Sequence, residues 1–257
     1  MSFPPKSSAP AVVLTFAATD PTGGAGLQAD VLTIGALGCH PLSVLTALTV
    51  QDTHGVSRLR AIDAACVAEQ ARHLLADIAV DAFKTGVLGS AENARAIGSI
   101  VAAHPRVPLV LDPVLASGRG DELADAALID ALAEAIVPHA TVVTPNTLEA
   151  RRLGGAQRLL ALGCDFVLVT GTHQPGPEVV NTLYDARGVV REDRWPRLPG
   201  EYHGSGCTLA SAIAASLARG REPAEAVREA QAYTWKTLAA AFRPGRGQAI
   251  PQRFVRP

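Results

Sequence analysis

The chain has 257 residues, 48% of them hydrophobic and only 4% aromatic, so it holds enough Ala, Val and Leu for a large core and is not a disordered chain. Its 23 Lys and Arg against 24 Asp and Glu give a formal net charge of -1, without the basic excess of a protein that grips phosphate backbones, which argues against nucleic acid as a partner. Cys39, Cys66, Cys164 and Cys207 show no Cys-x-x-Cys or zinc-ligand spacing, no run reaches the ~18 apolar residues of a membrane span, and MSFPPKSSAP lacks the apolar centre of a signal peptide. The expectation is a soluble, cytoplasmic protein.

Short apolar or β-branched runs alternate with Ala/Leu-rich stretches at helical spacing, the pattern of βα units around a mostly parallel sheet. In chain order the strands fall at Ala11–Ala17, Leu42–Val50, Val80–Val87, Leu109–Leu111, Ala140–Thr144, Phe166–Val169 and Thr182–Tyr184 with Val189–Val190. The helices fall at Ala25–Leu37, Ala64–Ile78, Ala91–Ala103, Ala124–Ile136 and Leu148–Leu162. After Tyr184 the alternation stops. Asp185 to Gly188 is a turn, Trp195 to Tyr202 an extended segment, and Cys207–Ala218 and Ala224–Phe242 are consecutive helices, the second opened by Pro223 and ended by Arg243-Pro244-Gly245. No linker composition or repeat divides the chain, so residues 1–257 read as one α/β domain, with helices on both faces of the sheet and a flexible segment over residues 1–10.

In open α/β sheets ligands bind beyond the carboxyl ends of the strands, and the unusual residues lie in the loops that follow strands. Thr22-Gly23-Gly24-Ala25-Gly26 leads from the first strand into a helix and loosely fits G-x-G-x-x-G/A. The ribose-binding acid of a dinucleotide site is missing after the second strand, which leaves a tight turn, or a loop whose flanking Asp20 and Asp30 suit a polar ligand. His203-Gly204-Ser205-Gly206-Cys207-Thr208 opens a helix of small residues, where converging amides and the helix dipole can hold a phosphoryl group. It lacks the Lys-Ser/Thr pair of a Walker A loop. Cys207, in the first turn, is either a small buried hydrophobe or a thiol whose pKa the helix end lowers towards a thiolate or general base. Asn146 and Glu149, after Thr144-Pro145, can hold a hydrated Mg²⁺ or simply cap a helix. Asp112-Pro113-Val114 and Lys84-Thr85-Gly86 place polar groups at strand ends. His40, His73, His104 and His139 read as surface or capping residues, Trp195 and Trp235 as packing, and Arg151-Arg152 and the stretch from Arg243 to Arg253 as solvated faces or a tail, with contact to ATP phosphates as the alternative.

Taken together, these segments resemble the hydroxymethylpyrimidine and phosphomethylpyrimidine kinases of the ribokinase-like superfamily, over about Val12 to Ala240. The most specific pieces are Asp20 to Asp30, Thr46-Ala47-Leu48-Thr49-Val50-Gln51-Asp52-Thr53, Lys84-Thr85-Gly86, Leu111 to Val114, Thr144-Pro145-Asn146 with Glu149, and His203 to Thr208. The resemblance implies a ribokinase-like fold and transfer of the ATP γ-phosphoryl group to the hydroxymethyl of 4-amino-5-hydroxymethyl-2-methylpyrimidine in thiamine biosynthesis, and it leaves open a second phosphorylation of the monophosphate. It implies ATP and Mg²⁺ as cofactors, a homodimer, and a pyrimidine as small-molecule partner.

By the family pattern, Gly204, Ser205, Gly206 and Cys207 form the catalytic anion hole, with Cys207 where sugar kinases carry an Asp. Ala18, Asp30, Gln51, Val87 and Val114 would face the substrate, Gln51 pairing with the aminopyrimidine edge and Asp30 accepting from its amino group. Asn146, Glu149, Thr170 and Thr172 would bind nucleotide, and Asp112 with Glu149 the metal. Three positions depart from the pattern: Ala18 replaces a glycine, Val87 a methionine and Thr170 a lysine. The lost lysine puts the second phosphorylation in question unless another cation, such as Arg119, takes its place. A pyridoxal kinase of the same subfamily is the nearest alternative. A non-catalytic nucleotide-binding protein would tolerate loss of Cys207 and Glu149, and both are present.

Overall fold

The computed structural model describes residues 9–117 and 120–255. The flexible segment expected over residues 1–10 falls largely outside them, as does Arg119 with its compensating role. In chain order the elements are β1 (Val12–Ala17), α1 (Gly26–Ala36), β2 (His40–Leu45), β3 (Ala47–Gln51), β4 (Val56–Ala61), α2 (Ala64–Asp77), β5 (Ala82–Thr85), α3 (Ala91–Ala102), β6 (Leu109–Leu111), α4 (Ala126–Ala135), β7 (Val142–Val143), α5 (Thr147–Arg152), α6 (Ala156–Ala161), β8 (Phe166–Val169), β9 (Glu178–Asp185), β10 (Gly188–Pro196), α7 (Ser205–Ala218) and α8 (Pro223–Ala239).

β1 is buried along its whole length, which is why its sequence is a nearly continuous apolar run. It pairs in parallel with β2 and β5, and β6, β7 and β8 continue the parallel array before β9 and β10 close that edge antiparallel. The eight strands run β10-β9-β8-β7-β6-β5-β1-β2. Strand side chains alternate between faces. Leu14, Phe16 and Phe83 join the core under α2, α3 and α4, while Val13 and Ala82 join the core under α1, α7 and α8. The same alternation turns Lys84 towards α1, whose Asp30 it meets. α7 packs against α1 and α8 and over β5 and β6, and its residues from Thr208 to Leu217 are buried, an arrangement its Ala and Ser content permits.

Three segments differ from the expectation from sequence. Leu42–Val50 is two strands: the chain leaves the sheet at Thr46, and β3 turns back onto β4 as a separate antiparallel hairpin with a register shift between Val50 and Gln51. Leu148–Leu162 is two short helices, interrupted where Gly154 and Gly155 take φ of 86° and 90°. The short strand pieces after Thr182 extend into the long hairpin of β9 and β10, which absorbs Trp195.

Candidate active site

The carboxyl ends of the parallel strands open into a cavity of about 530 Å³, walled by the loop into α1, the β3–β4 hairpin, the loops after β6, β7 and β8, and the start of α7. Of the residues expected at the site, Ala18, Gln51, Val87, Asp112, Val114, Asn146, Glu149, Thr170, Thr172, Gly204, Ser205, Gly206 and Cys207 line it; Asp30 does not.

Asp30 lies behind the wall with no exposed surface. Its carboxylate accepts from Thr15 Oγ1 at 2.6 Å, Ser211 Oγ at 2.8 Å and Lys84 Nζ at 2.8 and 2.9 Å. A carboxylate filled from three sides in the interior has no capacity for a substrate amino group, so Asp30 orients Lys84 instead. Burial by itself would lower the Lys84 pKa, but Asp30, with smaller contributions from Cys207 and Asp112, overrides it and holds the ammonium charged.

The two glycine loops meet backbone to backbone. Gly204 caps α7 at φ 85°, a left-handed conformation that glycine adopts without strain, and its Cα faces the carbonyl of Gly24. His203 Nε2 lies 2.7 Å from Asp20 Oδ2, which ties the loops by side chains as well. Asp20 also accepts from the amides of Thr22 at 2.9 Å and Ala25 at 2.6 Å. Burial would raise its pKa, yet the His203 and Thr22 hydrogen bonds prevail and hold it below the ordinary value. The first-turn amides of α7 have no acceptor within the helix and so are available to an anion.

Cys207 is half-buried in the cavity wall, and its thiol takes a hydrogen bond from the Gly26 amide. Burial pushes the thiol up to about 12, against the pull of Lys84 and with the help of Asp112 and Asp30. In place of the lowering expected from the helix end, the thiol stands above its ordinary value, because desolvation and two nearby carboxylates raise it.

Asn146 and Glu149 form a reciprocal cap on α5: Asn146 Oδ1 accepts from the amides of Leu148 at 2.8 Å and Glu149 at 3.0 Å, while Glu149 Oε2 accepts from the Asn146 amide at 2.9 Å. The capping alternative thus describes their contacts, although both side chains still border the cavity. Burial, reinforced by Asp112, raises Glu149 to about 7, and burial, opposed by Lys84, raises Asp112 to about 6. Asp112 Oδ2 is buried without a hydrogen-bond partner. No three His, Cys, Asp or Glu side chains group as a metal site among the described residues. Mg²⁺ is commonly held by one or two carboxylates plus phosphate and water, and two carboxylates whose ionisation is disfavoured, one with an orphaned oxygen, fit that pattern.

Sequence reasoning missed three features of the walls. The hairpin brings Val56 and Leu59 to the cavity beside Gln51. Gln51 Nε2 donates to Thr49 Oγ1 at 2.7 Å, and that hydroxyl donates to the Thr19 carbonyl at 2.7 Å. Since the Thr49 proton is committed, its oxygen faces the Gln51 nitrogen as acceptor, which fixes the amide flip and leaves Gln51 Oε1 as the accepting atom. Trp195 and Trp235, expected only to pack, also line the cavity. Arg197 lines it too, donating to the carbonyls of Thr172 at 2.9 Å and Gly176 at 2.8 Å. Thr170 pairs through its backbone with the start of α5, its amide 2.9 Å from the Pro145 carbonyl and its carbonyl 3.2 Å from the Thr147 amide.

A family model described as phosphomethylpyrimidine kinase matches residues 20–252. The hydroxymethylpyrimidine/phosphomethylpyrimidine kinase of Streptomyces coelicolor is 38% identical over 263 residues, covering 96% of each chain. The thiamine biosynthesis bifunctional protein ThiED of Geobacter sulfurreducens is 40% identical over 247 residues, 91% of this chain, which spans only 50% of that longer protein. Among solved structures, the pyridoxal kinase of Staphylococcus aureus in complex with ADP superposes with a TM-score of 0.87 at 28% identity, covering 96% of this chain and 94% of the other. The phosphomethylpyrimidine kinase of Clostridium difficile superposes with a TM-score of 0.76 at 33% identity, covering 88% and 99%.

Proposed function

The chain belongs to the phosphomethylpyrimidine kinase family and is a phosphotransferase, and on that premise we propose that it moves the γ-phosphoryl group of ATP onto the hydroxymethyl of 4-amino-5-hydroxymethyl-2-methylpyrimidine, a step of thiamine biosynthesis. The observation that carries the choice of substrate is the locked amide of Gln51, whose Oε1 is set to accept from an aminopyrimidine. Ala18, Val87 and Val114 offer the ring an apolar surround. With Asp30 withdrawn, Gln51 takes the accepting role alone.

Phosphoryl transfer calls for alignment and charge neutralisation more than for covalent chemistry. Here the amides at Gly204 to Cys207 serve as the anion hole, Asn146, Thr170 and Thr172 border the nucleotide, and Asp112 and Glu149 would hold Mg²⁺, which when bound neutralises phosphate charge. Cys207, protonated at neutral pH, orients the acceptor oxygen rather than removing its proton. In a loose transition state the bond to the acceptor oxygen is still little formed, so its proton is lost late, to an oxygen of the incoming phosphoryl group, and an orienting contact from Cys207 suffices. The whole chain acts as one kinase domain, in the cytoplasm, as a homodimer.

No helix among the described residues is long and apolar enough to cross a membrane. A second reading, pyridoxal phosphorylation, draws on the likeness to the Staphylococcus aureus enzyme. ADP release from Mg-ATP with the hydroxymethylpyrimidine, its monophosphate and pyridoxal at equal concentrations decides among them. Turnover of both pyrimidines supports the two-step kinase; turnover of only the first confines it to one step, as Thr170 suggests; preference for pyridoxal overturns the role given to Gln51.

A further inference from the structure

Arg253, expected to belong to a solvated tail, is 3% exposed, and no other arginine among the described residues is buried. The tail beneath it is pinned to α8: Tyr233 Oη donates to the Arg253 carbonyl at 2.6 Å, and the Gln252 amide donates to the Thr237 carbonyl at 3.0 Å. From that anchor the guanidinium reaches both glycine loops. Nη1 donates to the Gly23 carbonyl at 3.2 Å, Nη2 to the Gly24 carbonyl, and Nε to Thr208 Oγ1 at 3.2 Å. None of these hydrogen-bond partners is a carboxylate, and the guanidinium charge sits close behind the start of α7, in the field of Asp30 and Asp20.

Thr208 passes the contact on. Its hydroxyl donates to the Gly204 carbonyl at 2.8 Å, and its amide donates to the same oxygen at 3.0 Å. A peptide unit is planar, so fixing the Gly204 carbonyl also fixes the Ser205 amide that follows it. On the other side the Gly24 carbonyl, held by Arg253, is the group packed against Gly204.

We propose that Arg253 is a positioning residue for phosphoryl transfer: through Thr208 and Gly204 on one side and Gly23 and Gly24 on the other, it sets the register of the glycine loops and the aim of the α7 amides. The inference rests on reading Gly204 to Cys207 as the phosphoryl anion hole. Donors aimed at developing charge act mainly in the transition state, so their misalignment falls on kcat rather than on substrate binding. The buried guanidinium adds to the field of the helix end in the same direction.

Steady-state kinetics of the full chain with Mg-ATP and its best alcohol test this. Arg253→Ala and Arg253→Lys, which keeps the charge but not the three-way fork, should each lower kcat by about tenfold or more while the KM for the alcohol moves less than about threefold. Thr208→Val cuts the relay and leaves the tail anchored, so it should show the same split. The double variant Arg253→Ala/Thr208→Val should be no worse than the worse single, because the two residues act in one chain of contacts. A kcat within about twofold of wild type, a loss confined to KM, or single losses that multiply in the double each overturn the proposal. If Arg253→Ala does not fold, Arg253→Lys and Thr208→Val decide by the same split. Wild-type enzyme that releases no ADP with any of the three candidate substrates overturns the kinase reading itself; normal wild-type turnover with indifferent variants overturns only the positioning role.

Discussion

A Cβ placed on Gly204 would stand 1.8 Å from the carbonyl oxygen of Gly24, and the same residue has a φ of 85°. Gly204→Ala therefore forces the two loops apart and strains the cap of α7 at once. It should abolish most turnover and lower Tm. Gly188, at φ 126° at the start of β10 with nothing within 4 Å of its would-be Cβ, is the control. Gly188→Ala should cost about 1–3 kcal/mol of stability from backbone strain alone and leave kcat and KM unchanged. Equal kinetics for the two variants would show that the loop contact has no part in activity.

The Lys84–Asp30 pair has no exposed side-chain surface on either partner. Removing one partner leaves a buried charge uncompensated, so Lys84→Met should destabilise the protein by about 3–5 kcal/mol, read as a lower urea midpoint, whereas Lys84→Met/Asp30→Leu should recover much of that loss. The sign with pH follows from the raised Lys84 pKa. Its contribution is present in full below the unfolded value of about 10.4 and is lost as pH rises through the higher folded value. The wild-type advantage over Lys84→Met should accordingly hold from pH 7 to about 10 and shrink only beyond it. A midpoint that Lys84→Met leaves unmoved at pH 7 would show the pair to be energetically neutral.

What could be read in advance was local. The apolar run of β1, the glycines of both loops and the Asn146–Glu149 cap each lie within a few residues of the structure they specify. Arg253 is different: its partners lie 45, 229 and 230 residues away, and a charged residue near the end of a chain gives no local sign of burial. The surroundings of Asp30 are hidden in the sequence for the same reason, since Lys84 and Ser211 are 54 and 181 residues distant. The break at Thr46 has no local signal, because Leu42–Val50 runs without a Gly or Pro to mark it, and only the pairing of β3 with the later β4 sets β3 apart from the sheet. At Cys207 the start of α7 is legible in the sequence, but the desolvation that raises the thiol is supplied only by the assembled fold.

Asp112 and Glu149, raised to about 6 and about 7, carry a pH signature. Their unfolded values are about 3.9 and 4.3, so between pH 4 and 7 the native state keeps protons that the unfolded chain has lost. Stability from this pair is present at the acid end and falls as pH rises through the folded values. A divalent cation offsets the resulting repulsion, so MgCl₂ should raise Tm more at pH 8 than at pH 5. Asp112→Asn should raise Tm at pH 8 in metal-free buffer while lowering kcat. A variant less stable than wild type under those conditions would mean that another group already neutralises Asp112.

The Cys207 thiol, held up at about 12, separates two roles that the same residue could play. If it removed the proton of the acceptor alcohol, serine would be as poor a replacement as alanine, because neither supplies a base at neutral pH. If it orients the acceptor oxygen, a hydroxyl in its place preserves part of the contact. Cys207→Ala should thus lower kcat by about two to three orders of magnitude, with the KM for ATP nearly unchanged, and Cys207→Ser should keep a measurable share of the loss from appearing. Chemical modification gives an independent check. At pH 7.5 iodoacetamide should label the exposed Cys66 first and Cys207 slowly, with the Cys207 rate climbing as pH approaches the thiol's raised value. Rapid labelling of Cys207 at neutral pH, together with equally inactive Ala and Ser variants, would restore a thiolate base to the mechanism.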